Sequence, residues 1–320
     1  MRELQVKDIL FGAAYYPEYM PYDRLQEDIA MMQKAGMNTI RIAESTWSTL
    51  EPAEGVYDFS YIDKALAAAE EAGMYVIIGT PTYAIPSWLE KKCPEVMVFD
   101  GYSRKKYGKR QIMDIVHPVF RKCAENVICK LLEHTANVSC VIGFQIDNET
   151  KHYGTASPQV QRMFVEYLKT KFHTTEQLNE VFGLRYWSNS ISDWSDFPDM
   201  AGCIHGGLAC EFAKFQRSLA AEYLVWQSEL VKKYKRQDQF ITHNFDFEWK
   251  KFGADIAQDG YSYGVQPDIN HYEASKAVTI AGTDIYHPTQ DGLTGAEIGF
   301  GGDSIRTLKD DAYIVLECQA

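Results

Sequence analysis

The chain has 320 residues, 46% of them hydrophobic and 13% aromatic, which is material for a large core and too apolar for a disordered polypeptide. Its 32 basic and 44 acidic side chains leave a net charge of −12, which repels phosphate backbones and anionic lipid, so neither nucleic acid nor a membrane surface is expected as a partner. No run approaches the roughly 18 apolar residues that span a bilayer.

The apolar pattern alternates short β-rich runs with longer segments of helical spacing. "ILFGAA" (9–14) reads as a buried strand, followed by a helix with Leu25, Ile29 and Met32 on one face and Gly36 at its end. "NTIRIAE" (38–44) is the second strand, a helix runs from Asp63 to Ala72, and "MYVIIGT" (74–80) is the third strand. Phe120, Ala124, Ile128 and Leu131 mark a further helix before the fourth strand, "CVIGFQI" (140–146). At least two helices, near 158–172 and 211–234, flank the Trp-rich loop "RYWSNSISDWSDF". "QFITHNF" (239–245), "AVTIAGTDIY" (277–286) and "DAYIVLE" (311–317) supply strands five to seven. Such alternation predicts right-handed crossovers and a parallel sheet, best fitted by an α/β (β/α)8 TIM barrel. The expectation is a single barrel domain over 1–320, lacking the eighth strand and downstream domains, with a helical insertion around 150–238.

Seven cysteines, at 93, 123, 129, 140, 203, 210 and 318, form no C-x-x-C pair and no disulfide-framework spacing. With no export signal at the N-terminus they read as reduced thiols of a cytoplasmic protein. That reading decides the meaning of "FQIDNET" (144–150), where Asn148-Glu149-Thr150 also fits an N-glycosylation acceptor. A cytoplasmic chain is not so modified, which leaves an amide beside a carboxylic acid.

In barrel enzymes the chemistry sits at the C-terminal strand ends. Glu149 follows strand four and Glu317 ends strand seven, so both carboxyls are expected at one mouth. A facing pair is what glycoside cleavage needs, one group protonating the leaving oxygen while the other attacks or activates water. Asn148 then offers its amide to a sugar hydroxyl. Against this stands the ordinary reading, because among 44 acidic residues a Glu at a strand end is common. His243, Asn244, His271 and His287 also border strands five and six, with spacing for no H-x-x-x-H zinc helix. Trp47, Trp88, Trp187 and Trp194 fall on expected loops, either stacking on sugar or anchoring the loop. "GFGGD" (299–303) lacks the Lys-Ser/Thr of a phosphate loop and reads as a flexible loop or helix entry.

Three stretches carry a family resemblance. "FGAAYYPEYM…RIAESTWSTLEPAEGVYDFSYID" (11–63), "GFQIDNE" (143–149) and "VLECQA" (315–320) resemble, in order, the opening, strand-four and strand-seven segments of glycoside hydrolase family 42 β-galactosidases. The resemblance implies a retaining exo-β-galactosidase with Glu149 as acid/base, Glu317 as nucleophile, Asn148 on the sugar 2-hydroxyl, and Arg110 and Tyr286 as further substrate-binding residues. It also implies a small carbohydrate substrate and a homotrimeric complete protein. Related activities, on α-L-arabinopyranosides or β-glucosides, stay open, as does a truncated sugar-binding product without turnover. Many family members hold a cysteine-bound zinc; here Asp114 takes the first ligand position and 150–161 has no cysteine, so no metal and no cofactor are expected.

Overall fold

The computed structural model describes residues 9–20, 22–108, 112–247, 250–251, 261–262, 266–286 and 295–318. In chain order its strands are β1 (Gly12–Ala14), β2 (Thr39–Ile42), β3 (Tyr75–Gly79), β4 (Val141–Gln145), β5 (Phe240–Thr242), β6 (Asn244–Phe245), β7 (Lys250–Lys251), β8 (Tyr261–Ser262), β9 (Ala281–Asp284) and β10 (Tyr313–Glu317). The helices are α1 (Leu25–Lys34), α2 (Trp47–Leu50), α3 (Ser60–Glu71), α4 (Ser87–Lys92), α5 (Pro118–Thr135), α6 (Pro158–Phe172), α7 (Thr175–Phe182), α8 (Gly206–Lys232), α9 (His271–Ala274) and α10 (Ala296–Arg306).

β1 to β5 pair in order as a parallel sheet, and β6, β9 and β10 continue it as a parallel set in the order β10-β9-β6. β5 and β6 are one strand interrupted at His243, and the Thr279 and Ile280 amides donate to Ile241 across the break. The fold is therefore a TIM-type α/β barrel in which the described strands occupy seven positions, and the expected strands stand where the spacing puts them. Among the described residues the outer edges of β1 and β10 carry no strand partner.

Every residue of β2 is buried, as expected of strands covered on both faces. Inside the barrel a small cluster of Ile77, Phe240 and Ile280 meets Ile142, Ile314 and Leu316; the larger core lies between strands and helices. The "GFGGD" glycines are inside α10 rather than in a loop. A Cβ at Gly302 would stand 2.3 Å from the Tyr313 hydroxyl, so the glycine lets α10 lie close on β10. The expected Trp47 loop is likewise a short helix: Trp47 opens α2, is fully buried against Phe120, and donates to Glu51 Oε2 at 2.7 Å. Trp88 donates to the Glu51 carbonyl at 2.9 Å. Two indoles thus anchor one turn. Between β4 and β5 lie α6 and α8, as expected, and α7, which the apolar spacing did not mark.

Candidate active site

The C-terminal ends of β2, β4, β6, β9 and β10 converge on one group of side chains. Glu149 lies in the loop after β4, Glu317 ends β10 and Asp284 ends β9; one carboxyl oxygen from each lies within 4.8 Å of the others. A register shift between Val315 and Glu317 pairs Glu317 with Asp284, a local irregularity of the sort that re-aims a side chain. The two sequence-predicted glutamates are brought together as expected, and the third carboxyl was not anticipated.

Glu317 is held from two sides. Arg41 Nη2 donates to its Oε1 at 2.5 Å, and the Tyr286 hydroxyl donates to its Oε2. Arg41 also reaches Gln145 Oε1 at 2.8 Å, Glu44 Oε1 at 3.1 Å and the Tyr16 hydroxyl at 3.0 Å. The Arg41 and Glu44 side chains are only 3% and 2% exposed. Burial alone would lower the arginine's pKa, but the charges of Glu44 and Glu317 outweigh it and raise it. Arg41 is thus a permanent cation fixed on Glu317. Burial, and then the bond to Glu317, raise Tyr286 far above an ordinary phenol, so it stays a donor.

Asp284 is fully buried. Burial first, then the charges of Glu317 and Glu149, push its pKa well above the usual carboxylate range, against Arg41 and a bond from Asn244. Two unit charges 4.8 Å apart repel by about 3.5 kcal/mol at an effective dielectric of about 20, which opposes ionisation of the buried member.

Asn244, at the start of β6, organises the β4 loop. Its Nδ2 donates to Asp284 Oδ2 at 2.7 Å and to Asn148 Oδ1 at 2.9 Å, while its Oδ1 accepts from the Glu149 amide at 3.1 Å and from Gln145 Nε2 at 3.1 Å. Asn148 is buried. Asp147 and Glu149 both have left-handed backbones, with φ of 48° and 42°. Such conformations persist in non-glycine residues only where the surroundings over-determine them.

The sequence marked Glu149, Glu317, Asn148 and Tyr286, and these four lie together; Arg110 and His287 lie outside the described residues. It passed over Arg41, Glu44 and Asp284. The available signal was an arginine inside the apolar run "TIRIA", since a charge buried in a strand needs a partner. His243 and His271 are not cation-site residues: His243 makes a 2.7 Å contact with the Ile146 carbonyl through Nδ1, and His271 packs its ring against Phe245. Among the described residues the Glu149–Asp284–Glu317 group alone has metal-ligand spacing, and both Glu317 oxygens there already accept hydrogen bonds.

The glycoside hydrolase family 42 β-galactosidase model matches residues 14–320. The chain is 31% identical over 252 residues to the β-galactosidase BgaA of a Thermus species, covering 74% of this chain and 38% of that protein. It is 28% identical over 314 residues to BgaA of Clostridium cellulovorans, covering 96% and 45%. Among solved structures it superposes on a catalytic mutant of Gan42B, a GH42 β-galactosidase from G. stearothermophilus, with a TM-score of 0.88 and 25% identity, over 100% of this chain and 46% of that one. The chain thus spans less than half the length of these relatives.

Proposed function

Because the chain belongs to glycoside hydrolase family 42, we propose that its site releases terminal β-D-galactose from oligosaccharides or galactosides with retention of configuration. The observation that carries this is the facing pair, with an oxygen of Glu149 within 4.8 Å of one of Glu317. Retaining enzymes hold their two carboxyl groups roughly 5 to 5.5 Å apart and inverting ones about 6.5 to 9.5 Å, so a pair whose oxygens approach this closely supports the retaining reading.

In this reading Glu317, ionised between Arg41 and Tyr286, attacks the anomeric carbon. The glycosidic C–O bond breaks as Glu149 passes its proton to the leaving oxygen. A galactosyl ester of Glu317 results. Glu149, now a carboxylate, takes a proton from water, whose oxygen attacks the anomeric carbon and frees Glu317. Asn148 is the donor to the sugar 2-hydroxyl, an orientation supported by the two amide donors on its Oδ1. Arg110 retains its expected role on the substrate. Asp284, neutral, spares the pair an additional negative charge.

The same reading takes the protein to be cytoplasmic, supported by the free thiols of Cys93, Cys123, Cys129, Cys140, Cys203 and Cys210, and the complete protein to be a homotrimer, which light scattering tests.

The deciding experiment is hydrolysis of nitrophenyl β-D-galactoside with the first-formed anomer read by NMR. The parent gives β-galactose first. Glu149→Ala with azide yields the β-galactosyl azide, and Glu317→Gly with azide yields the α anomer. Release of α-galactose, or turnover confined to glucosides, overturns the proposal.

A further inference from the structure

The loop bearing Glu149 is tied to a distant helix by a closed ring of hydrogen bonds. The Asp147 amide donates to Thr80 Oγ1 at 2.6 Å, and Thr80 Oγ1 donates to Gln227 Oε1 at 2.6 Å. From the other end of the same amide, Gln227 Nε2 donates to Thr82 Oγ1 at 2.9 Å, and Thr82 Oγ1 donates to Asp147 Oδ1 at 2.6 Å. The second Asp147 oxygen accepts the Thr150 hydroxyl, so the carboxylate grips both ends of the Asn148–Glu149 dipeptide. Each hydroxyl accepts one proton and donates one, which leaves a single consistent direction around the ring. All five side chains are buried.

Gln227 lies in the interior of α8, Thr80 and Thr82 follow β3, and Asp147 follows β4. None of the four has been assigned a contact with the sugar or the reacting atoms. What they hold is a loop whose residues at 147 and 149 sit in left-handed backbone, a conformation that needs external support.

We propose that Thr80, Thr82 and Gln227 are positioning residues for general acid catalysis, fixing through Asp147 the placement of the Glu149 carboxyl against the leaving-group oxygen. The proposal rests on Glu149 being the acid/base. The ring bears chiefly on proton delivery, because Asn148, in the same loop, is held separately through its Oδ1 by Gln145 and Asn244, and Glu317 and its partners Arg41 and Tyr286 belong to other elements.

The consequence is a defect that depends on the leaving group. Phenoxide is a poor leaving group and needs the proton; dinitrophenoxide departs without it. For Thr82→Val, which removes both bonds of one hydroxyl, kcat/KM on phenyl β-D-galactoside falls by about 30-fold, while on dinitrophenyl β-D-galactoside it changes by less than about 3-fold. Gln227→Met gives the same asymmetry. Thr82→Ser restores the hydroxyl and the activity on both substrates. Thermal melting of each variant reads folding separately, and Glu149→Ala is the reference. If Glu149→Ala lacks the leaving-group asymmetry, the acid/base reading fails and takes the proposal with it. If Glu149→Ala has it, and Thr82→Val and Gln227→Met lose activity equally on both substrates or not at all, only the ring proposal is overturned.

Discussion

Arg41 is a single side chain on which four acceptors depend, two of them carboxylates. Removing it leaves Glu44 buried without its cation, the costliest kind of change in a site of this sort. Arg41→Met is expected to lower kcat/KM on a galactoside by at least about 100-fold, whereas Arg41→Lys, which keeps the charge but loses the fork, recovers part of it. Steady-state kinetics on folded variants checks this. His271 gives a prediction of the opposite kind, in stability. Burial, followed by the charge of Lys151, depresses its pKa from 6.5 to about 4. The unfolded chain therefore takes up a proton below pH 6.5 that the native one refuses down to about 4. The stability due to neutral His271 is present above pH 6.5 and lost as pH falls toward 4. His271→Gln should gain on the parent over that window by roughly 3 kcal/mol, as read from urea midpoints at several pH values. A gap that does not widen in acid refutes it. Glu149 and Glu317 were legible in the sequence because strand ends are countable. Arg41 and Asp284 were not, because their meaning lies in which strands are neighbours, and that is a property of the closed sheet.

Elements meet at this site with little slack. A Cβ at Gly79, the last residue of β3, would stand 2.5 Å from Glu44 Cβ and 2.8 Å from its Cα. Backbone cannot yield there as a side-chain tip can. Gly79→Ala should cost about 1 to 3 kcal/mol and also lower kcat by displacing the Glu44–Arg41 pair; a melt and a rate on the same sample test both. The N-cap of α7 is the contrast. Thr174 Oγ1 accepts the Gln177 amide at 3.2 Å, remote from the site in role. Thr174→Ala should cost about 1 kcal/mol with activity unchanged within error. At this scale the sequence was readable where an apolar stripe had a helix to itself, as in α5 and α6. It left "GFGGD" open between a loop and a helix entry, because glycines usually form loops and here permit close helix-to-strand packing, and it misled at Trp47, whose helix is too short to show a period.

For the whole molecule, the barrel was legible from strand count and alternation, since parallel strands buried on both faces leave unmistakable apolar runs. The antiparallel pair of β7 and β8 was not, its two-residue strands being too short for any pattern. Of the two edges that lack a strand partner among the described residues, β10 carries exposed Val315, and exposed Ile9 and Phe11 lie just ahead of β1. Open edges of this kind recruit other edges. The 320-residue polypeptide expressed alone is expected to self-associate with rising concentration, and Phe11→Lys with Val315→Lys to suppress it in light scattering.

If Glu149 is the proposed acid/base, its left-handed backbone sets heat resistance against turnover. A glycine there relieves the strained φ of 42°, worth about 1 kcal/mol, and removes one of three crowded carboxyls. A library screened only for survival of heating would therefore collect Glu149→Gly among its winners, proteins that outlast the parent and hydrolyse almost nothing.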